Sequence, residues 1–152
     1  MAAMAAVVVA VGGCASADPS SFTSLASADA QARAWVDSAV TDAIPGASTA
    51  DGHSEGPDTC TSSADFAAMS YSLMVDVPAD EVDAAVAEIW RGFREQGFGT
   101  DPVGTAPAPP GSGSPSWTLN LFHDGFQVEI TGARTEPTYV STYITTPCLR
   151  TG

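Results

Sequence analysis

The sequence predicts an α+β domain in which two helices pack on one face of a mainly antiparallel four-stranded sheet, a two-layer sandwich. Three observations carry that expectation. Two segments repeat apolar residues at helical spacing. Four others are short, bounded by turn residues and rich in strand formers. One pair of these sorts apolar from polar side chains on both strands in a single hairpin register. The chain has 152 residues, 44% of them hydrophobic, which suffices for one domain with a real core.

The first helix is read over residues 28–46, "ADAQARAWVDSAVTDAIPG", with Asp29 as its N-cap. Ala32, Trp35, Val36, Ala39, Val40 and Ala43 recur at i, i+3 and i+4 and make one apolar face. Pro45 and Gly46 stop it. Residues 47–64 read as loop from their Ser, Thr, Gly and Asp content.

The first strand spans 66–77, with Met69, Tyr71, Leu73, Val75 and Val77 alternating against Ser70, Ser72, Met74 and Asp76. Pro78 ends it, and the second helix follows in "ADEVDAAVAEIWRGFREQGFG". Asp80 serves as its expected cap, and Glu81 and Asp83 complement the positive end of the helix dipole. Val82, Val86, Ile89 and Phe93 form its apolar stripe, with Trp90 beside it, and Gly97 suits the left-handed residue after the last turn. Residues 99–116 are a Pro/Gly/Ser-rich surface loop.

With Asp124-Gly125 as a two-residue type I′ turn, His123 faces Phe126, Leu121 faces Val128, Leu119 faces Ile130 and Trp117 faces Gly132. The other face pairs Phe122 with Gln127, Asn120 with Glu129 and Thr118 with Thr131. The last strand, 138–148, is rich in β-branched and aromatic residues.

Charge excludes some functions. Eighteen acidic residues face five basic ones, all arginine, for a net charge of −13. Such a surface repels a phosphate backbone and anionic lipid headgroups, so no nucleic-acid partner is expected.

The N-terminus carries an address. Residues 2–11 are an unbroken apolar run, too short to span a bilayer, with the length of a signal-peptide core. Gly12, Gly13 and Cys14 follow. Val11-Gly12-Gly13-Cys14 resembles the lipobox of bacterial lipoproteins: aliphatic, small, small, cysteine. The resemblance implies a signal peptide over residues 1–13, cleaved before Cys14. It also implies acyl chains such as palmitate on Cys14, which hold the protein to the extracytoplasmic side of the cell membrane. Residues 14–27, rich in Ser and Ala, then read as a tether, and 28–152 as the single domain. The whole resembles the uncharacterised lipoproteins of high-GC Gram-positive bacteria.

With Cys14 assigned to lipid, Cys60 and Cys148 remain as an even pair in a disulfide-permissive compartment. Cys60 precedes the first strand and Cys148 follows the last, so pairing them sets those two strands side by side and antiparallel.

Candidate chemistry is sparse. His123 beside Asp124 is a possible base with an orienting carboxylate, although Asp-Gly is needed there for the turn. Asp51, His53, Glu55 and Asp58 in the acidic 51–58 loop have the donor types of a hard-cation site without EF-hand spacing. Glu81, Asp83, Glu88 and Glu95 read as a solvated helix face. No Gly-x-Ser-x-Gly elbow occurs. Phe122, Tyr139 and Tyr143 fall on the polar face of the sheet and would form a ligand face if that side is open. The expected function is a non-enzymatic binding module of the cell envelope, with a protein, glycan or lipid ligand and no cofactor or metal. Two alternatives stand beside it: a hydrolase or metal-binding protein using His123 and Asp124 or the 51–58 loop, and a structural or sensory accessory to a membrane protein.

Overall fold

A computed structural model describes residues 21–60, 64–99 and 116–151. In chain order these form α1 (Leu25–Ala43), β1 (His53–Thr59), β2 (Phe66–Asp76), α2 (Val82–Glu95), β3 (Ser116–His123), β4 (Phe126–Ala133), β5 (Tyr139–Thr145) and β6 (Leu149–Arg150). The fold is α+β. The four expected strands undercount the sheet, which has six among the described residues, ordered β1-β2-β5-β4-β3 with β6 also on β2. Every pairing is antiparallel.

The helices start elsewhere than expected. α1 is capped by Ser24, whose side chain accepts from the Ser27 amide at 3.2 Å. Asp29 lies inside the first turns and binds the Arg33 guanidinium at 3.0 Å. α2 is capped by Glu81 without a side-chain bond, so Asp80 does not cap it. Its stripe is as read: Val82, Val86, Ile89 and Phe93 are fully buried. Gly97 adopts a φ of +95°, and Phe98 N–H closes on the Phe93 carbonyl at 3.1 Å.

α1 buries Ala28, Ala32, Val36, Ala39 and Val40. These small side chains let the helices approach closely; a Cβ added at Gly92 of α2 would stand 3.5 Å from the Ala39 Cβ. Both helices lie on one face of the sheet, over Tyr71, Leu73, Val140, Ile144, Val128, Ile130, Leu119 and Leu121.

The hairpin register is the expected one throughout, from His123 opposite Phe126 to Trp117 opposite Gly132. Asp124 and Gly125 have φ of +49° and +81°, as a type I′ turn requires. β2 and β5 are adjacent and antiparallel, with Tyr71 opposite Ile144. Cys60 and Cys148 are joined as a disulfide, their Cα atoms 6.1 Å apart.

β1 overturns the reading of 47–64 as loop throughout. Its residues HSEGPDT are almost all exposed, and it pairs antiparallel with β2, with a register shift between Glu55 and Asp58. A polar, Pro-containing edge strand of this kind resists pairing with other chains. The expected last strand, 138–148, is shorter: β5 stops at Thr145, and the chain re-enters the sheet as β6.

Candidate functional site

The face of the sheet opposite the helices is the broadest candidate surface. Among the described residues no element packs on it. Alternation dictates its content: Ser70, Ser72, Met74 and Asp76 from β2, Tyr139, Ser141, Tyr143 and Thr145 from β5, Gln127, Glu129 and Thr131 from β4, Thr118, Asn120 and Phe122 from β3. It is a hydroxyl- and amide-rich surface set with a few apolar groups. Met74 is 56% exposed, and Phe122 and Tyr143 each 37%.

Phe122, Tyr139 and Tyr143 share this face without touching. Tyr143 stands opposite Glu129, which stands opposite Asn120; Phe122 is two pairs further along and two strands across. At a strand spacing of about 4.8 Å and a rise of about 3.3 Å per residue, the backbones of Phe122 and Tyr143 are thus about 12 Å apart. Tyr139 is half-buried between Asp76 and Ala133. Cross-strand contacts fill the space between: Thr118 and Thr131 hydroxyls at 2.9 Å, and Gln127 Nε2 donating to Asn120 Oδ1 at 3.3 Å. Such a surface suits an extended, partly polar partner better than a compact ligand.

His123 and Asp124 do not form a dyad. His123 points to the helix side and packs in an aromatic cluster, its ring centroid 5.3 Å from Phe98 and 6.2 Å from Trp35. Asp124 instead accepts from the Ser21 amide at 3.1 Å and from the Ser21 hydroxyl. Next to it, Phe22 packs edge-on against Phe126 at 5.2 Å and against Trp35 at 6.4 Å. Residues 21–27, read as the end of a tether, thus hold the chain to the hairpin tip and begin α1.

The acidic 51–58 segment is largely strand. His53 and Glu55 share a face, with Nε2 and Oε1 3.7 Å apart and both side chains well exposed. Asp51 lies before the strand and Asp58 beyond its register shift. Among the described residues, no three His, Cys, Asp or Glu side chains converge as a metal site. Cys14 and the 1–13 segment lie outside the described residues, as do residues 100–115 of the Pro/Gly/Ser-rich loop.

One buried polar group sits between α1 and the sheet. The Tyr71 hydroxyl donates to Asp37 Oδ1 at 2.7 Å, and the Arg33 guanidinium lies 5.3 Å from its ring centroid. Burial first, then the hydrogen bond to the Asp37 carboxylate, pushes the Tyr71 phenol up to about 12. It therefore remains a neutral donor that positions α1 on β2. Gly52 is required beside it: any Cβ there would fall 1.8 Å from the Tyr71 hydroxyl oxygen.

Two hollows lie at the end of the sheet where α1 finishes and α2 begins. One, of about 330 Å³, is lined by Ser48, Asp51, Met74, Val75 and Asp76. The other, of about 210 Å³, lies between the helix ends over Ile44, Val77 and Ala85. The sequence pattern places Met74 and Asp76 on the polar face; it does not disclose the hollow, which depends on where β1 stops.

No protein-family model matches the chain, and no curated protein matches it. Among solved structures the chain is similar to one described as "Crystal structure of the putative lipoprotein LppA from Mycobacterium tuberculosis". The identity is 15% and the TM-score 0.44, over 82% of this chain and 76% of that one. Nothing about this chain rests on so distant a likeness.

Proposed function

We propose that this protein is a lipid-anchored, extracytoplasmic binding module of the cell envelope that engages a partner through the open face of its sheet. The observation that carries the binding role is that face, a wide hydroxyl-rich surface bearing the exposed side chains of Phe122, Tyr143 and Met74. The anchor is supported by the lipobox-like Val11-Gly12-Gly13-Cys14 and by the Cys60–Cys148 disulfide, which suits an oxidising compartment. Ser21 and Phe22 fix the chain to the domain only seven positions after Cys14. At about 3.5 Å per extended residue, the hairpin end then lies within about 25 Å of the membrane surface.

The test is a pair of substitutions that keep strand propensity, Phe122→Thr and Tyr143→Thr, made together in the full chain. The expected outcome is a melting temperature close to that of the parent and loss of the species crosslinked to it in intact cells. An unchanged crosslinking pattern would count against the open face as the binding surface.

A further inference from the structure

β1 stops short of the end of β2. Its first residue, His53, stands opposite Ser72, whereas β5 accompanies β2 as far as Asp76. From Leu73 to Asp76, β2 therefore has a strand neighbour on its β5 side only, among the described residues. On the other side the residues before β1 do not pair with β2; they form a turn closed by the Gly52 N–H on the Thr49 carbonyl at 3.1 Å. The gap is the hollow of about 330 Å³ lined by Ser48, Asp51, Met74, Val75 and Asp76.

Its chemistry has one sign. Asp51 and Asp76 line it, and neither has an ion-pair partner among the described residues. Asp80 and Glu81 lie in the turn between the end of β2 and the start of α2. The arginines are committed elsewhere: Arg33 to Asp29, Arg91 to Glu88 and Glu95, Arg134 to Asp83, while Arg94 lies over Trp90 and Arg150 over Phe66. Met74, the most exposed large apolar side chain among the described residues, forms part of the wall.

We propose that this notch is a docking site for an extended cationic segment of a partner protein. The segment runs alongside Met74–Asp76 as a short added strand and places a lysine or arginine between Asp51 and Asp76. Charge complementarity selects the occupant: two unpaired carboxylates in a chain of net charge −13 recruit a cation. The unaccompanied strand edge supplies backbone pairing, and the Met74 thioether packs on an apolar neighbour of the cation. The notch adjoins the open face and shares Met74 and Asp76 with it. The Phe122→Thr/Tyr143→Thr pair leaves its carboxylates and strand edge intact, and the notch does not depend on the anchor, so either reading can fail alone.

The probe is a blocked hexapeptide of alternating lysine and valine, titrated into the isotope-labelled full chain and followed through its backbone amide shifts. Shifts centred on Met74, Val75 and Asp76 are expected. The double variant Asp51→Asn/Asp76→Asn should weaken binding at least about tenfold, and Met74→Lys, at a side chain that is 56% exposed, should do the same without loss of fold. A matched variant, Asp58→Asn/Glu95→Gln, removes equal charge at the opposite end and should weaken binding by less than about twofold. Equal weakening by the matched variant would reduce the effect to net charge and overturn the site. So would shifts centred elsewhere, or the same shifts at the same concentrations from spermine or Ca²⁺ alone.

Discussion

Replacing Cys60 and Cys148 together by serine is expected to lower the stability of this domain by about 4 kcal/mol. The two cysteines are 88 positions apart, and closing so long a loop removes much of the unfolded chain's freedom. Replacing both avoids a free thiol. The loss should also be uneven. β1 buries almost nothing and is held by its backbone pairing with β2 and by the disulfide that follows it. β6 has only two residues on β2. Amide protection in β1 and β6 should therefore fall before that of β4 and β5, whose side chains meet the helices. Urea unfolding followed by hydrogen exchange measures both effects. A destabilisation below about 1 kcal/mol, with β1 still protected, would contradict the role given to the bridge.

The second large effect is expected at Trp35. This side chain is the hub of an aromatic cluster, with ring centroids 5.0 Å from Phe126, 5.2 Å from Phe98, 6.2 Å from His123 and 6.4 Å from Phe22. It thus joins α1 to the hairpin tip, to the residues after α2 and to the chain entering the domain. Trp35→Ala should cost about 3 kcal/mol, from lost burial and from the hollow left behind. Trp35→Phe keeps an aromatic ring there and should cost less than about 1.5 kcal/mol. Because Phe22 loses a wall, the Ser21 amide should also lose protection, although its acceptor Asp124 is untouched. Chemical denaturation of the two variants, with exchange read at Ser21, checks this. Equal costs for alanine and phenylalanine would show that the cluster is not organised by Trp35.

How much was legible from the sequence depended on whether an element buries a face. The β3–β4 hairpin was readable to the residue because its alternating Leu119, Leu121, Val128 and Ile130 point into the core and Asp124-Gly125 fixes the turn. α2 was readable for the same reason, through Val82, Val86, Ile89 and Phe93. β1 was not. HSEGPDT has no apolar period, and its place is set by an unpaired edge of β2 and by the covalent tie at Cys60. The caps divided similarly: Ser24 and Asp29 both satisfy the rule for α1, and the docking of Phe22 and the burial of Ala28 extend the helix to the earlier one.

The candidate surfaces follow that division. Phe122, Tyr139 and Tyr143 were assigned to one face by alternation, and they lie on it; that they stand apart depends on the strand order, with β4 between Phe122 and Tyr143. His123 and Asp124 are neighbours in sequence that diverge in space, since successive strand residues point to opposite sides. The notch beside Met74 exists only because β1 ends opposite Ser72, a register that no local pattern specifies.

Intact-mass analysis of the chain recovered from cell membranes tests the proposed anchor at Cys14 and the Cys60–Cys148 disulfide together. The expected mass corresponds to a chain beginning at Cys14, carrying acyl groups on that residue and lacking two hydrogens for the Cys60–Cys148 bond. A chain that retains residues 1–13 without acyl groups, or a Cys14→Ala variant that still sediments with membranes, would contradict it.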